Sequence, residues 1–241
     1  MEGWNLKCLN AVTATVMFLG IILFCPGFIN GQEKLPEGEV IKYVGKNETT
    51  LLMTVKISNK YKPGYQPSIN NLIFWEYGKN PERHSFEIRE KYQEVKDSFN
   101  EYLIKIGLPG GDFKFAEIIA RSGFFPVAGS FIVPIYTPIT IPSNKVIYLG
   151  NLEANVVERT ADDQMRAGPV LPLLDQAVTG ASGGTFEIII SDNLETDLPK
   201  FIKKYPSLRE AAIEKRVLEP WKKPQESDME PPLFSKQPFG S

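Results

Sequence analysis

The chain has 241 residues, of which 42% are hydrophobic and 23% charged, so it can bury the core of one sizeable domain or two small ones. Its formal net charge of -2 and the absence of a long block of one sign exclude the concentrated basic face of a nucleic-acid-binding protein. Because His84 is the only histidine, a multi-histidine metal centre is excluded, and we predict no metal and no other cofactor.

Residues 1–31 are predicted to be a signal peptide or a membrane anchor. No charged residue occurs from Cys8 to Gln32, Lys7 precedes this stretch, and Pro26-Gly27 follows its apolar part. A basic start, an apolar stretch and turn-forming residues are typical of a secretory signal. About 18 to 20 uncharged residues also suffice to span a bilayer as an uncleaved anchor. Both alternatives predict an exported, periplasmic or cell-envelope protein that meets the membrane through this segment.

Cys25 adds lipid attachment as a third alternative for the same segment. A lipoprotein signal ends in a small residue followed by the cysteine that carries the lipid, whereas bulky Phe24 precedes the cysteine here. Cys8 and Cys25 are the only cysteines of the chain. Removal of residues 1–31 would therefore leave a mature domain without a disulfide or a cysteine-ligated metal.

The exported part is predicted to begin with a tether over residues 32–50 and to continue as a series of strands. Leu51–Ile57 places alternate apolar residues on one face, and Leu72–Tyr77 is rich in β-branched and aromatic residues. The same signals predict further strands at Phe113–Ile118, Phe131–Ile135, Pro138–Ile141, Val146–Val157 and Thr185–Ser191. The prolines at positions 134, 138 and 142 indicate edge strands, since proline cannot donate a hydrogen bond to a sheet.

Helices are predicted in two parts of the chain. Within residues 79–107, the apolar side chains from Tyr92 to Ile106 suit a helical stripe better than a strand. A second helical face begins near Asp192, whose neighbouring acidic residues favour the start of a helix, although Pro199 allows a later start near Asp197. Ser207–Glu210 reads as a capping box that opens another helix to about Leu218. Residues 222–241 contain four prolines and few large apolar residues, which predicts a disordered tail.

The predicted fold is mainly β: an antiparallel Greek-key β-sandwich with C-terminal helices, preceded by an N-terminal apolar helix. The sandwich is expected to span residues 51–191, and a helical extension over residues 192–221 is expected to pack on it.

A resemblance to a known group of exported modules supports this fold. Leu-Pro-Gly-Gly-Asp-Phe at residues 108–113 resembles the turn before a strand in prealbumin-like (carboxypeptidase-regulatory-like) sandwiches. Phe131-Ile-Val and Val146-Ile-Tyr-Leu-Gly-Asn-Leu resemble a strand pair of uncharacterised bacterial cell-envelope and lipoprotein modules. The resemblance covers residues 108–152. It implies a sandwich fold and no catalytic residue.

Gly180–Gly184 is the one segment whose pattern could indicate catalysis. It fits the G-x-S-G-G sequence around the nucleophile of chymotrypsin-like serine hydrolases, and the chain order would allow His84, Asp112 and Ser182 to form a triad. The other interpretation is a glycine-rich loop before a strand, in which glycines adopt positive φ without steric cost.

A polar loop from Arg159 to Pro169 is a candidate for recognition, because loops on rigid sandwiches commonly bind partners. Its candidate binding residues are Arg159, Asp162, Asp163 and Arg166, and the other interpretation of the loop is a solvated connection between strands. The function indicated is a non-enzymatic binding or assembly module of the envelope with a protein or glycan partner. The alternatives are a chymotrypsin-like serine hydrolase using Ser182 with His84, and a soluble ligand carrier with a deep apolar pocket between its sheets.

Overall fold

A computed structural model describes residues 47–79, 81–124, 127–169 and 176–232, and over these ranges the predicted mainly β fold is confirmed. The strands are β1 (Glu48–Asn59), β2 (Ser68–Tyr77), β3 (Arg83–Glu87), β4 (Gln93–Val95), β5 (Phe99–Pro109), β6 (Gly111–Phe124), β7 (Val127–Ile141), β8 (Val146–Glu158), β9 (Gly184–Ser191) and β10 (Ile213–Lys215). The helices are α1 (Leu194–Lys204), a 3-10 helix (Pro206–Glu210) and α2 (Glu226–Met229). In the described ranges, no helix has the length and apolar character needed to cross a membrane. The predicted leader with Cys25 lies outside the described residues.

The strands form two sheets. The larger sheet has the order β10-β8-β1-β5-β4, with β9 also paired to β8, and the smaller sheet has the order β3-β2-β6-β7. Most neighbours are antiparallel, but β8 runs parallel to both β1 and β10. A parallel pair needs a long crossover connection. Here the crossover from β1 to β8 contains the whole smaller sheet.

The main core lies between the two sheets. β1 contributes Leu51, Met53, Val55 and Ile57 to it, which confirms the predicted alternation of this strand. Four phenylalanines from the smaller sheet are at most 1% exposed and fill the same layer: Phe74, Phe113, Phe115 and Phe131. These side chains occupy the space in which a ligand carrier was expected to have its pocket.

A second, smaller core covers the outer face of the larger sheet. Leu52, Leu103 and Tyr148 project from this face and pack against Phe201 of α1 and Leu208 of the 3-10 helix. The amphipathic face predicted for α1 therefore packs on the sheet, and the sandwich has a third, helical layer over part of one side.

The helix predicted within residues 79–107 is wrong, because β3, β4 and β5 occupy this stretch. In β5, Tyr102, Ile104 and Ile106 face the main core at every second position, while Leu103 faces the helical layer. A strand buried on both faces gives a nearly continuous apolar run, and some of its residues then fall by chance at helical spacing.

The helix predicted from Ser207 to about Leu218 is also wrong. The 3-10 helix ends at Glu210, and β10 then pairs with the first residues of β8. Beyond β10, the backbone N–H of Leu218 donates to Leu149 O at 2.9 Å. The sheet therefore supplies the hydrogen bonds that a longer helix would have made internally.

Residues 222–232, which belong to the segment expected to be a disordered tail, contact the sandwich. Lys223 forms an ion pair with Asp163. The Lys114 ammonium donates to the backbone O of Asp228 in α2 at 2.9 Å. These contacts hold the segment against both the loop after β8 and the smaller sheet.

The proline prediction is confirmed for β7, which forms an edge of the smaller sheet and contains Pro134 and Pro138. The outer side of this strand is also covered by other parts of the chain. The N–H of Ile132 donates to Ala167 O at 2.8 Å, and Trp221 Nε1 donates to Pro134 O at 2.6 Å. The prolines and the covering segments both prevent another strand from pairing with β7.

Candidate functional site

A groove of about 590 Å3 lies on the outer face of the larger sheet, beside the helical layer. We call it the outer groove. Its lining includes Thr50, Lys105, Val146 and Ile213 from strands of the larger sheet, together with Leu208 of the 3-10 helix and Ala211. Its volume lies within the range of about 300–1,000 Å3 that is usual for small-molecule sites.

The outer groove exists because α1 ends before the sheet does. α1 covers the level of Leu52 and then stops at Lys204. Thr50 lies two residues further along β1, about 7 Å away in an extended strand. After the 3-10 helix, the chain returns to the sheet through Ala211 and Ala212, whose small side chains leave space over Thr50.

Lys105 gives the outer groove its electrostatic character. This side chain is half-buried, and burial lowers the pKa of its ammonium group. The Nζ atom lies 4.9 Å from the centre of the Tyr205 ring, a cation–π contact that offsets part of the desolvation. Among the described residues, no carboxylate lies within 4.0 Å of this Nζ. Two lysines of α1 are different, because Lys200 and Lys204 both form ion pairs.

The remaining charges leave the outer groove positive. Lys145 is a second ammonium in its lining, and the acidic residues are Glu48 and Glu214. Glu214 accepts a hydrogen bond from Arg216 Nε at 2.5 Å, which neutralises it. Two lysines therefore face one glutamate without an ion pair, so the groove combines apolar walls with a small excess of positive charge.

A buried ionic network fixes α1 next to the outer groove. Tyr148 donates to Asp197 Oδ2 at 2.7 Å, and Asp197 is 1% exposed. Lys200 Nζ lies 2.7 Å from Glu101 Oε1 and 3.5 Å from Asp197 Oδ1. Burial raises the pKa of Tyr148, and the Asp197 carboxylate raises it further. Burial lowers the pKa of Lys200, but Glu101 and Asp197 together outweigh it, so the net shift is upward. The hydrogen-bonding and ionic groups of this network are paired with one another, so we assign it a structural role.

Ser182 lies in the turns before β9, at the end of the sandwich where β1 leads into β2. Gly180 and Gly183, on either side of it, face Tyr61 in the β1–β2 loop. The carbonyl of Ser182 accepts a hydrogen bond from Arg166 at 2.6 Å. Gln66, the residue before Pro67 and β2, is tied back to Asn59 at the end of β1. The start of β2 therefore lies at the same end as Ser182.

His84 and Asp112 lie towards the other end of β2. His84 pairs with Phe74, which is six residues from the start of β2, or about 20 Å along the strand. Asp112 pairs with Tyr77 and accepts a hydrogen bond from Thr140 at 2.7 Å. The structure thus brings His84 and Asp112 to one end of the smaller sheet and leaves Ser182 at the opposite end. A serine nucleophile needs its base within hydrogen-bonding distance.

His84 instead forms a small cluster with two glutamates. Its Nε2 lies 2.8 Å from Glu76 Oε2 and 3.9 Å from Glu82 Oε2. One imidazole and two carboxylates within 4.8 Å of one another are a donor set for a divalent cation. The same contacts hold the β2–β3 hairpin together without an ion, since Glu76 N also donates to Glu82 O at 2.8 Å.

The predicted recognition loop is closed mainly on itself. Arg159 donates to the backbone oxygens of Gln164, at 2.9 Å, and of Asp162, at 2.5 Å. Arg166 reaches Ser182 O, and Asp163 pairs with Lys223. Both arginine groups therefore have backbone acceptors, while Asp162, Asp163 and Arg166 remain exposed.

The glycines around Ser182 have clear structural roles, which leads to a test with a matched control. A Cβ on Gly184 would lie 2.6 Å from Gly180 O and 2.7 Å from Val156 Cγ1, whereas one on Gly183 would be in ordinary contact with Tyr61 at 3.5 Å. We expect Gly184→Ala to lower the free energy of unfolding by about 1–3 kcal/mol through overpacking. Gly183→Ala should change it by less than about 0.5 kcal/mol. Urea denaturation measures both, and equal losses would contradict the packing explanation.

The comparisons with known proteins give no further assignment: the chain matches no protein-family model, no curated protein and no solved structure. The candidate site therefore rests on the geometry described above.

Proposed function

We propose that this chain is an exported, envelope-associated and non-enzymatic binding module whose ligand occupies the outer groove. The observation that carries the proposal is Lys105, a half-buried ammonium with no carboxylate partner among the described residues. A desolvated charge without a partner destabilises the fold. Such groups are concentrated at functional sites, where a ligand supplies the missing partner.

The lining of the outer groove favours a ligand that has an apolar body and one anionic group. An apolar body would displace water from Leu208, Ala211 and Ile213, and a carboxylate on it would pair with Lys105. Binding needs no more than this. Nucleophilic catalysis by a lysine would also need groups that transfer protons, and no hydrogen bond joins Lys105 to such a group in the described structure.

The proposal includes several features predicted from sequence alone. These are the signal peptide or anchor at residues 1–31, its N-terminal apolar helix, lipid attachment at Cys25 as an alternative, and a protein or glycan as a further partner. The Greek-key connection and the prealbumin-like character of the sandwich also remain predictions.

Octanoate and octan-1-ol are suitable probes, because they share an eight-carbon chain and differ in charge. We expect the full-length chain in mild detergent to bind octanoate about 3–10-fold more tightly than octanol in calorimetric titrations, since one charge-assisted contact forms. Lys105→Met should abolish this preference. It should also raise the thermal midpoint, because the desolvated ammonium is removed. Ala211→Trp, which fills the groove, should weaken the binding of both probes.

The matched control is Lys56→Met. Lys56 is also a half-buried lysine on the larger sheet, but it lies outside the lining of the outer groove and near Glu153, at 3.9 Å. It should leave the octanoate preference unchanged. Equal affinities of the wild-type chain for the two probes would contradict the proposal, as would an octanoate preference that survives Lys105→Met.

A further inference from the structure

A second cavity, of about 420 Å3, lies where β1 ends and the β1–β2 loop begins. We call it the polar basin. Its lining includes Ser58 of β1, which is on the same face of this strand as Leu52, and Asn155 of β8, which pairs with Ser58. Residues of the β1–β2 loop and of the β4–β5 turn also line it. The polar basin shares no lining residue with the outer groove.

Asn155 gives the polar basin an unused hydrogen-bond donor. This side chain is only 7% exposed, and its Oδ1 accepts a hydrogen bond from Ser58 Oγ at 2.6 Å. Its Nδ2 has no acceptor among the described residues, although the residue lines the basin. A largely buried amide group without a partner costs free energy. A ligand in the basin can supply the missing acceptor.

The two loops that line the polar basin are fixed by hydrogen bonds. Asn59 Nδ2 donates to Thr179 O at 2.8 Å, which holds the start of the β1–β2 loop. In the β4–β5 turn, Ser98 N donates to Val95 O at 2.9 Å, and Asp97 has a φ of 55°. Aspartate adopts this left-handed conformation more readily than most residues. The basin is therefore formed before a ligand arrives, which reduces the entropy cost of binding.

The charges in the lining of the polar basin cancel. Two lysines, Lys56 and Lys60, are matched by two carboxylates, Asp97 and Glu153. Lys56 Nζ lies 3.9 Å from Glu153 and 4.3 Å from the centre of the Phe99 ring, so its charge is already balanced. The side chains of Lys60 and Asp97 have no ion pair or hydrogen bond with any described residue. The lining thus offers donors and acceptors without an excess of either charge, which favours a neutral polar ligand.

We propose that the polar basin binds a neutral sugar unit, with Asn155 Nδ2 donating to one of its hydroxyl groups. A hydroxyl group donates one hydrogen bond and accepts others, so adjacent hydroxyl groups on a sugar ring can accept from Asn155 and Lys60 and donate to Asp97. An apolar ligand would leave the same groups without partners. The inference assigns a site to the glycan that the proposed function includes as a partner, and it does not depend on the ligand of the outer groove.

Saturation-transfer NMR tests this proposal on the full-length chain in a detergent without a sugar headgroup. The probes are glucose, mannose, galactose and N-acetylglucosamine, each at about 10 mM, which detects millimolar dissociation constants. At least one of them should bind, and its 6-phosphate should bind no more tightly, because the lining has no net charge. The methyl glycoside of that sugar represents a linked unit. Comparing it with the free sugar distinguishes a glycan from a free sugar as the source, and either result supports the proposal.

Two variants locate the binding. Asn155→Asp removes the donor but keeps an oxygen for Ser58, so it should weaken sugar binding about 5–10-fold. The matched control is Asn151→Asp, the same change at a residue of β8 that is 5% exposed and lies outside the lining, and it should leave sugar binding unchanged. Ser98→Trp fills the basin from an exposed position and should abolish binding without changing the thermal midpoint.

The proposal is overturned if none of the four sugars binds, if the 6-phosphate binds more tightly, or if binding survives Asn155→Asp and Ser98→Trp unchanged. If Asn155→Asp failed to fold, Ser98→Trp would decide. Octanoate should not displace the sugar, since the two cavities have no lining residue in common. A failure of the polar basin is therefore distinguishable from a failure of the outer groove.

Discussion

Replacing Asp197 with alanine should lower the free energy of unfolding by about 2–4 kcal/mol, because it removes the centre of a buried polar network. Tyr148 would lose the acceptor of its hydroxyl hydrogen bond, and Lys200 would keep Glu101 as its only carboxylate. α1 would then be held to the sheet mainly by Phe201 and its neighbours. Urea denaturation, followed by circular dichroism, measures the change.

The matched control is Asp192→Ala. Asp192 lies five residues earlier and pairs with Lys215 at 2.6 Å, but it is exposed. Exposed ion pairs contribute little, and Asp192 Oδ1 also accepts a long hydrogen bond from Leu194 N at 3.3 Å, so this variant should lose no more than about 1 kcal/mol. A loss for Asp197→Ala no greater than that for Asp192→Ala would show that the network does not hold α1.

Phe115→Ala should lower the free energy of unfolding by about 3–5 kcal/mol, the range for a large aromatic side chain truncated in a core. Phe115 is fully buried in β6 and stacks on Phe74, with ring centres 4.5 Å apart. Truncation would leave a cavity in the middle of the layer between the sheets. Thermal and urea unfolding check this expectation.

Phe86→Ala is the corresponding control at the edge of the same cluster. Phe86 meets Phe74 edge-on at 5.9 Å, but it lies in the edge strand β3 and is only partly buried. Its truncation opens a space that water can enter, so the loss should be clearly smaller. If both variants lowered the free energy of unfolding by similar amounts, Phe115 would not be at the centre of the core.

β1 and β9 were the predictable strands. Apolar residues alternate with others along their sequences, and the structure buries the predicted residues, including Met53 and Phe186. In β1 the alternation survives although both faces are largely covered, because Thr54 and Lys56 follow Leu52 on the outer face. β5 was missed because Tyr102 and Leu103 are equally apolar neighbours on opposite, covered sides of the strand. Apolar residues on the second face weaken the alternation that marks a strand.

The candidate site could not be predicted, because its walls come from distant parts of the sequence. Lys105 and Leu208 meet only after α1 has folded back over the sheet, and nothing local to Lys105 indicates that its ammonium is desolvated. Ser182 is the opposite case. The motif around it is conspicuous, yet its glycines reflect the positive φ of Gly180 and the close approach at Gly184.

The parallel pairing of β1 with β8 has a consequence for how the chain folds. Among the described strands β1 is synthesised first, but it lies inside the larger sheet, between β5 and β8. Until Val146 and the residues after it have been made, the side of β1 opposite β5 has no partner. Contacts between segments so far apart in sequence form slowly, because closing a long loop costs entropy before the contact stabilises anything. During this interval Leu51–Ile57 is an apolar strand with an open edge. Misassembly therefore competes with folding until β8 has paired with β1.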